Sequence, residues 1–575
     1  MCDFRLSYYP GLVHEGHQSF LDVIIPLLPS CLLILSVPIA LLGVVLSRVN
    51  FNEYGLLGGL NWMYYVGLGF ALVALGVESM SKKPRKSIMW LTVLLSQIYI
   101  WVLPELTFSG LVMPAANHDL VFYPDTFSIV MHSHITAEQQ VYQSWPGPYI
   151  LGAILKLIFQ SSSYIQLFDL MPIIDNMAVS ILLYCFLSNY LGAGYSILAF
   201  IGISFFEVFN FTETLTTLTP FSSSYVLFYA CTLILLILIL RNGSSNKKTI
   251  LIILIFLTSL SISHPEVGFA AVLAVTASFI PDVLKRKAMM KLPFLLLFLG
   301  LALISLWASI AAISYLRGYT LGIFLNHLFN VFGSVSEITT AVASTSKLHE
   351  LLNNLRLWVV IFMVGGALPA FFKGNVRKDV NYQRIFCYAM GIGIAATIAG
   401  NTQTIGYPVR VFAYLLPVII FLDLVSLSFL SRKTLIVVLV LVLAALSPIS
   451  VALVYGNMPS EAVPDSSIQA SIYYDTYAAI QSSNGWNTIL EGQYVGFYGQ
   501  NLNILYPYSQ RVYFGVRFPS QPSDNFIVLG RVTQVEQQFL TGNGIMIDAA
   551  SLDLNSQQDY YLIYNSGLMT IYYGS

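Results

Sequence analysis

Charged residues are scarce in this sequence. They make up 10% of its 575 residues, whereas 56% are hydrophobic and the mean hydropathy is +0.73. Soluble domains average roughly 25% charged residues, so these values exclude a water-soluble fold over the whole length. The scarcity is uneven, because residues 1–455 alternate long apolar runs with short polar joints, and 456–575 resembles a globular domain. We predict a polytopic membrane domain at 1–455 and a soluble domain at 456–575.

Cysteine is scarce, and a cleavable leader is not expected. The 5 cysteines all precede residue 456, and their spacing fits neither a disulfide framework nor a metal site. The first 20 residues are polar and aromatic, and the apolar run after them is too long for a signal peptide. The first run is therefore expected to be a retained membrane anchor.

Thirteen apolar runs reach or approach the length of a membrane-spanning helix, about 20 residues. They lie at 22–47, 62–79, 87–106, 166–188, 190–207, 219–240, 249–263, 266–283, 292–316, 357–372, 385–400, 408–430 and 434–455. A further run, 148–159, is too short for a crossing and is expected to be re-entrant or interfacial. The predicted fold class is an α-helical polytopic membrane protein of about 13 spans.

Lysine and arginine predict the orientation, because cytoplasmic joints carry an excess of both. With a cytoplasmic N-terminus and 13 crossings, the basic clusters at 82–86, 241–248, 285–291, 373–384 and 432–433 all lie inside. Counting 148–159 as a crossing would place the later clusters outside. The soluble domain has nine carboxylates, three arginines and no lysine, which favours an extracytoplasmic location in the cell membrane.

The segment 107–147 is the longest predicted outer loop before residue 456. It contains Asp119, Asp125 and Glu138, together with His118, His132 and His134, and has no lysine or arginine. Loops of this length between helices are functional or disordered, and its aromatic and apolar content argues against disorder. The histidine spacing does not match a helical metal-binding pair, so no metal site is predicted.

Two further predicted outer positions carry polar side chains at membrane depth. His264 and Glu266 flank Pro265 where two apolar runs meet, either as a functional site or as a polar helix joint with proline in the first turn. Arg410 begins an apolar run, either as a snorkelling anchor or as a clamp for a phosphate.

Three carboxylates lie in or near apolar runs, namely Asp169, Asp175 and Glu207. Inter-helix hydrogen bonding is the interpretation that we favour for them over catalysis. In the soluble domain, 464–467 is a helix-start signal and seven short aromatic or alternating runs predict strands, so an α/β fold is expected. The predicted strands are 488–490, 494–498, 512–517, 526–529, 545–547, 560–564 and 568–573.

Together these motifs resemble the GT-C superfamily of polyprenyl-phosphate-sugar glycosyltransferases, in an archaeal, dolichyl-phosphate-mannose mannosyltransferase-like form. The resemblance lies in four features. An acidic outer loop, 107–147, leads into a proline-led apolar segment, 145–158, and a Ser-His-Pro turn follows at 263–265. Arg410 begins a span, and 561–572 resembles a closing strand pair. The sequence departs from the family in having two extra spans before the loop and no adjacent acidic pair. It has no Trp-Trp-Asp-Tyr-Gly motif, so an oligosaccharyltransferase catalytic subunit is not expected.

The resemblance implies an inverting glycosyltransferase that moves a sugar from a polyprenyl (dolichyl) phosphate to a glycan, lipid or protein acceptor on the outer face. Asp125 is the first candidate for the base, and a helix cap or Asx turn is its structural alternative. Asp119 is the second candidate. The substrate-binding candidates are Arg410 and Arg317 for the phosphate, together with His264, Glu266 and His134.

Membrane lipids are expected partners, nucleic acid is not, and a divalent cation is left open. Two other functions stay open from the sequence. A lipid-linked oligosaccharide polymerase or ligase would have its main outer loop late in the chain, and 317–356 is the candidate segment for that loop. A transporter or flippase would show two related halves, and the chain has no internal repeat.

Overall fold

A computed structural model gives the fold of this chain. It describes residues 20–47, 59–81, 83–104, 111–112, 150, 153–154, 157–158, 165–191, 197–209, 220–242, 247–286, 291–310, 358–359, 361–370, 380–400, 407–427, 430–456, 463–464, 486–488, 512–514, 525–530, 560–565 and 569–574.

Each of the thirteen apolar runs contains a described helix. In chain order, helices α1 to α14 are Phe20–Leu46, Trp62–Met80, Lys86–Trp101, Ile165–Tyr190, Leu198–Phe209, Pro220–Asn242, Lys247–Ser263, Pro265–Ser278, Ile280–Arg286, Lys291–Ile310, Ile361–Ala370, Val380–Gly400, Tyr407–Ser426 and Arg432–Gly456. The run 266–283 contains two of them, α8 and α9.

Five stretches of helix among the described residues are long and apolar enough to span a membrane: Leu27–Leu46, Trp62–Met80, Ile173–Tyr190, Val267–Leu284 and Arg432–Ile449. Six shorter apolar helices accompany them. The chain is therefore a helical membrane protein, and the total of about 13 crossings stays a prediction.

Small residues allow α1 and α2 to pack closely. A Cβ built on Gly67 would lie 2.6 Å from the Cβ of Ala40, and one on Gly43 would lie 2.2 Å from the backbone nitrogen of Tyr64. The pairing of Ala40 with Gly67 and of Gly43 with Tyr64 shows that the two helices are antiparallel. Such packing matters in a bilayer, where lipid tails are as apolar as the side chains and burial alone does not join helices.

Gly67→Ala is expected to lower the thermal stability of the detergent-solubilised protein, because the added methyl group overlaps the Cα and Cβ of Ala40. Overpacking of this kind costs about 1–3 kcal/mol. Gly69→Ala in the same helix is the matched control, since no described heavy atom lies within 4 Å of a Cβ built there. Alanine is the better helix former, so the control should melt at or above the wild-type temperature. Equal melting temperatures for the two variants would contradict the close helix contact.

Two of the basic joints meet at one end of the helix bundle. Glu78, near the end of α2, forms an ion pair with Arg85 at 2.7 Å, and Arg85 precedes α3. The hydrogen bond to Glu78 raises the pKa of Arg85 above its ordinary value. Arg432, the first residue of α14, donates to the carbonyl oxygen of Ser79 at 3.4 Å. The start of α3, the end of α2 and the start of α14 therefore lie together, as the predicted topology requires.

A second, more deeply buried ion pair joins α9 to α12. The guanidinium of Arg384 donates from Nη2 to Oδ1 of Asp282 at 2.7 Å and from Nε to Oδ2 at 3.0 Å. A further bond runs from Arg384 Nη1 to Asn381 Oδ1 at 3.2 Å. Both side chains are about nine-tenths buried. The two parallel bonds match the planar fork of arginine to the carboxylate.

Strands β1 (Leu111–Val112) and β2 (Val463–Pro464) join the predicted outer loop to the segment that follows α14. Leu111–Val112 pairs antiparallel with Val463–Pro464, with Leu111 opposite Pro464 and Val112 opposite Val463. Helices α3 and α14 both start at the end where Arg85 and Arg432 lie, and they are followed in the chain by β1 and β2. The start of the 107–147 loop and the start of the soluble domain therefore lie side by side.

A disulfide is expected to form between Val112→Cys and Val463→Cys in a background without the natural cysteines. Directly opposed residues of an antiparallel pair have Cα atoms about 4.5–5.5 Å apart, within the range of a disulfide. With a protease site placed in 371–379, the two fragments should stay linked on a non-reducing gel and separate on reduction.

The control pair is Val112→Cys with Ser431→Cys. Ser431 precedes α14, whose 25 residues are about 37 Å long, so this pair should not link. An unlinked Val112–Val463 pair under oxidation, or equal linking of both pairs, would contradict the β1–β2 contact.

The other described strands form one five-stranded mixed sheet within 456–575, the predicted soluble domain. Strands β3 to β7 are Trp486–Thr488, Val512–Phe514, Asn525–Gly530, Tyr560–Asn565 and Met569–Gly574, in the order β4-β3-β5-β7-β6. β3 pairs parallel with β4 and β5, while β7 pairs antiparallel with β5 and β6. A register shift interrupts β6 between Leu562 and Tyr564.

These strands coincide with or overlap five of the seven predicted runs, and 494–498 and 545–547 lie outside the described residues. Pro464 closes β2, so the helix-start signal at 464–467 directly follows a strand. Proline has no backbone N–H and fits a two-residue edge pairing of this kind. The helix expected after 465 also lies outside the described residues, so the α/β class of this domain stays a prediction.

Candidate functional site

The candidate residues differ in how far the structure describes them. Asp119, Asp125, His134 and Arg317 lie outside the described residues. For Glu266 and Arg410 the structure gives the position in a helix but not the side chain, and His264 is described in full. The roles predicted for these residues in catalysis and substrate binding stay predictions.

His264 occupies a tight turn between α7 and α8. Its backbone is extended, with φ −162° and ψ 135°, and it is the N-cap residue of α8, with Pro265 in the first turn. Its N–H donates to the carbonyl oxygen of Leu260 at 3.1 Å, and its own carbonyl accepts from Gly268 N–H at 2.9 Å. The imidazole is buried, with 6% of its surface exposed. The Ser-His-Pro sequence therefore forms a helix joint with proline in the first turn of α8, and a functional role of His264 stays a prediction.

Glycine permits this turn to close tightly. A Cβ built on Gly268 would lie 3.0 Å from the Cα of Ser261, so the two helices touch just beyond the turn. Glu266 follows Pro265 in the first turn of α8, where the partial positive charge of the helix N-terminus favours a carboxylate. The fold thus places His264 and Glu266 at one helix junction.

Arg410 lies in the first turn of α13, which begins at Tyr407. The rest of α13 packs into the bundle. Tyr414 is buried, and the carbonyl oxygen of its neighbour Ala413 accepts a hydrogen bond from the Tyr229 hydroxyl of α6 at 2.5 Å. This contact fixes the helix one turn after Arg410. The backbone position fits both the anchor and the phosphate-clamp interpretation.

A buried hydrogen-bonded network joins α3, α4 and α5. Ser96 Oγ of α3 donates to Oε2 of Glu207 in α5 at 2.7 Å, and Gln97 Nε2 donates to Oε1 at 2.8 Å. Gln97 Nε2 also lies 3.0 Å from Ser180 Oγ of α4. All four side chains are at most 1% exposed. The prediction that Glu207 makes inter-helix hydrogen bonds is confirmed.

The two other intramembrane carboxylates in the sequence prediction lie in α4. Asp175 is buried, with 8% of its surface exposed, and its neighbour Asn176 is fully buried. The side chain of Asp169 lies outside the described residues. Within the described part of the chain, no group of three or more histidine, cysteine, aspartate or glutamate side chains is arranged to hold a metal ion.

One partly buried carboxylate was not singled out from the sequence. Asp423 of α13 lies against α11, where a Cβ built on Gly366 would be 2.7 Å from its Oδ1. One turn later, Ser426 Oγ donates to the carbonyl oxygen of Ala367 at 3.4 Å. A single aspartate in the apolar run 408–430 was the available signal, because an acidic residue at membrane depth needs a packing or functional reason.

No protein-family model and no curated protein matches this sequence. Among solved structures, the chain is similar to ArnT from Cupriavidus metallidurans bound to undecaprenyl phosphate, at 11% identity and a TM-score of 0.47, over 84% of this chain and 97% of that one. It is also similar to the oligosaccharyltransferase of Archaeoglobus fulgidus tethered with an acceptor peptide, at 11% identity and a TM-score of 0.44, over 89% and 74%. A third similar structure is AglB of the same organism in complex with an inhibitory peptide and a dolichol-phosphate, at 12% identity and a TM-score of 0.44, over 89% and 74%. All three TM-scores lie below 0.5, so these likenesses assign neither a family nor an activity to this chain.

Proposed function

We propose that this protein is a membrane glycosyltransferase of the GT-C type, which transfers a sugar from a polyprenyl phosphate to an acceptor on the extracytoplasmic face. The observation that carries the proposal is the position of the acidic 107–147 loop. Its first strand pairs with the start of the soluble domain, and α3 separates it from the end of the bundle where Arg85 and Arg432 lie. This segment is the only one of its length before residue 456 that is rich in aspartate and histidine. It therefore leaves the helix bundle beside the predicted soluble domain.

The chemistry needs a base for the acceptor hydroxyl. In a single displacement, the acceptor oxygen attacks the anomeric carbon from the face opposite the phosphate, the bond from that carbon to the phosphate oxygen breaks, and the configuration inverts. The hydroxyl proton passes to a carboxylate, and the electron pair of the broken bond leaves with the lipid phosphate. Asp125 is the proposed base, with Asp119 as the second choice. A positioned base contributes typically 10²–10⁴-fold in rate.

The leaving lipid phosphate needs a cation beside it. Arg410 is the proposed partner, because a guanidinium offers parallel donors to a phosphate and stays charged at all working pH values. Its place in the first turn of α13 adds the partial positive charge of a helix N-terminus. Arg317 is the proposed second cation. His264 and Glu266 are proposed to orient the phosphate or the acceptor, and His134 is proposed to bind substrate.

The test is a transfer assay on the full chain in proteoliposomes, with polyprenyl phosphates carrying a labelled single sugar and with either magnesium or a chelator present. We expect time-dependent loss of labelled donor with release of polyprenyl phosphate. Arg410→Gln should raise the KM for the donor about 10–100-fold, since a hydrogen bond to a charged group is worth about 1.5–3 kcal/mol.

Arg432→Gln is the matched control, because Arg432 binds the carbonyl of Ser79 at the other end of the bundle. It should leave the donor KM within about twofold of wild type, since the loss of one partly exposed surface contact changes little. Movement of intact labelled lipid between leaflets without cleavage would overturn the proposal in favour of a flippase. Consumption only of donors that carry a long oligosaccharide would overturn it in favour of a polymerase or ligase.

A further inference from the structure

The Glu207 network lies near the end of α3, the helix that precedes the acidic segment. Glu207 is in the last turn of α5, and Ser96 and Gln97 lie near the end of α3, which precedes residues 105–164. Ser180, in α4, belongs to the helix that follows the same segment. The network therefore joins the helix before the segment directly to the helix after it, through Gln97 and Ser180, and it joins α5 to α3 through Glu207.

The hydrogen bonds of the network hold these helices in one specific relative position. A buried carboxylate is costly unless its oxygens are paired, and here each oxygen of Glu207 accepts one hydrogen bond from α3. Bonds of this kind have narrow ranges of length and angle, so they fix the rotation and the height of one helix relative to the next. Apolar side chains at the same positions would permit sliding by a fraction of a turn.

A separate aromatic contact holds the same three helices. Trp90 of α3, Tyr184 of α4 and Phe200 of α5 have ring centroids 4.8–5.3 Å apart. Trp90 lies near the start of α3 and Phe200 near the start of α5, away from the helix ends that carry Gln97 and Glu207. Since this cluster does not involve the polar network, the three-helix unit should still assemble when the network is changed.

We propose that Glu207 is a positioning residue, which sets the spacing of the end of α3 from α5 through Ser96 and Gln97 and from α4 through Gln97 and Ser180. On the proposed function, which this inference assumes for its kinetic part, that spacing aligns the segment carrying the candidate base with the donor. A displacement of about 1 Å far from the reacting atoms can lower a rate about 10²-fold. Loss of the network should therefore lower kcat while leaving the binding of the donor unchanged.

The test compares Glu207→Met with the exchanged double variant Gln97→Glu/Glu207→Gln. The single variant has a side chain of similar length without the two carboxylate oxygens, so it loses the bonds from Ser96 and Gln97. The double variant restores the bond between residues 97 and 207 in reverse, because the new amide at 207 donates to the new carboxylate at 97, which also accepts from the Ser180 hydroxyl. We expect kcat to fall about 10²-fold in the single variant with the donor KM within twofold, and to recover at least tenfold in the double variant.

A distance measurement tests the relative position of the helices independently of enzymatic activity. Spin labels at Val102 after α3 and at the exposed Ile174 of α4 should give a narrow distance distribution in the wild type and in the double variant. The single variant should give a shifted or broadened one. The inference would be overturned if the wild type, the single variant and the double variant all gave the same narrow distance distribution. It would also be overturned if kcat did not recover in the double variant. If the wild type transfers no sugar but the distances change as described, the proposed function fails and the positioning of the helix ends stands.

Discussion

Asp125→Asn is expected to reduce sugar transfer at least about 10²-fold in proteoliposomes, because the acceptor hydroxyl loses the group that takes its proton. The change is chosen to separate the two roles predicted for this residue. Asparagine caps a helix or closes an Asx turn about as well as aspartate, so the structural role survives the substitution while the base does not. Expression and melting temperature should stay at wild-type values.

Asp119→Asn is the matched comparison, because it removes a carboxylate from the same segment with the same change of volume and charge. We expect it to keep most of the wild-type kcat. Full activity in Asp125→Asn would show that this residue only caps or turns the chain. A loss confined to Asp119→Asn would move the role of the base to that residue.

Arg384→Leu is expected to destabilise the folded protein by about 3–5 kcal/mol, since it leaves the Asp282 carboxylate buried without its cation. The pair is bidentate and about nine-tenths buried, so water does not replace the lost donors. The measurement is the melting temperature of the purified protein in detergent.

The double variant Asp282→Leu/Arg384→Leu tests the cause of that loss. Replacing both members of a buried ion pair by apolar residues is often neutral, so the double variant should recover most of the stability. Lys433→Leu removes an exposed cation in α14 and should change the melting temperature little. A double variant as unstable as the single one would show that the arginine acts through its bulk and not through its charge.

The apolar runs predicted the helices well, because a spanning helix must satisfy its backbone hydrogen bonds within itself and so depends little on its neighbours. The α7–α8 turn was also predictable, since Pro265 has no N–H to donate and tolerates the first helical turn. The hydrogen-bond partners of the buried polar side chains were not predictable from the sequence. Nothing local to Glu207 indicates that Ser96 and Gln97, 111 and 110 residues earlier, supply its hydrogen bonds.

The same limit applies to the soluble domain and to the ion pairs. The strand runs were visible from alternation and aromatic content, but the parallel pairing of β3 with both β4 and β5 depends on tertiary contacts. Arg384 was assigned to a basic joint from its neighbours in sequence, whereas Asp282 lies 102 residues earlier. The pairing of Pro464 with Leu111 was not predictable either, because nothing in the local sequence of either residue indicates the other.

Whether the acidic segment faces the outside of the cell is the central question, and side-specific labelling answers it most directly. In a background without the natural cysteines, Ser133→Cys in the 107–147 loop and Ser431→Cys before α14 are exposed to a membrane-impermeant maleimide, first on intact cells and then after permeabilisation. We predict that Ser133→Cys reacts on intact cells and that Ser431→Cys reacts only after permeabilisation. The reverse pattern would place the acidic segment in the cytoplasm and contradict the proposed extracytoplasmic transfer.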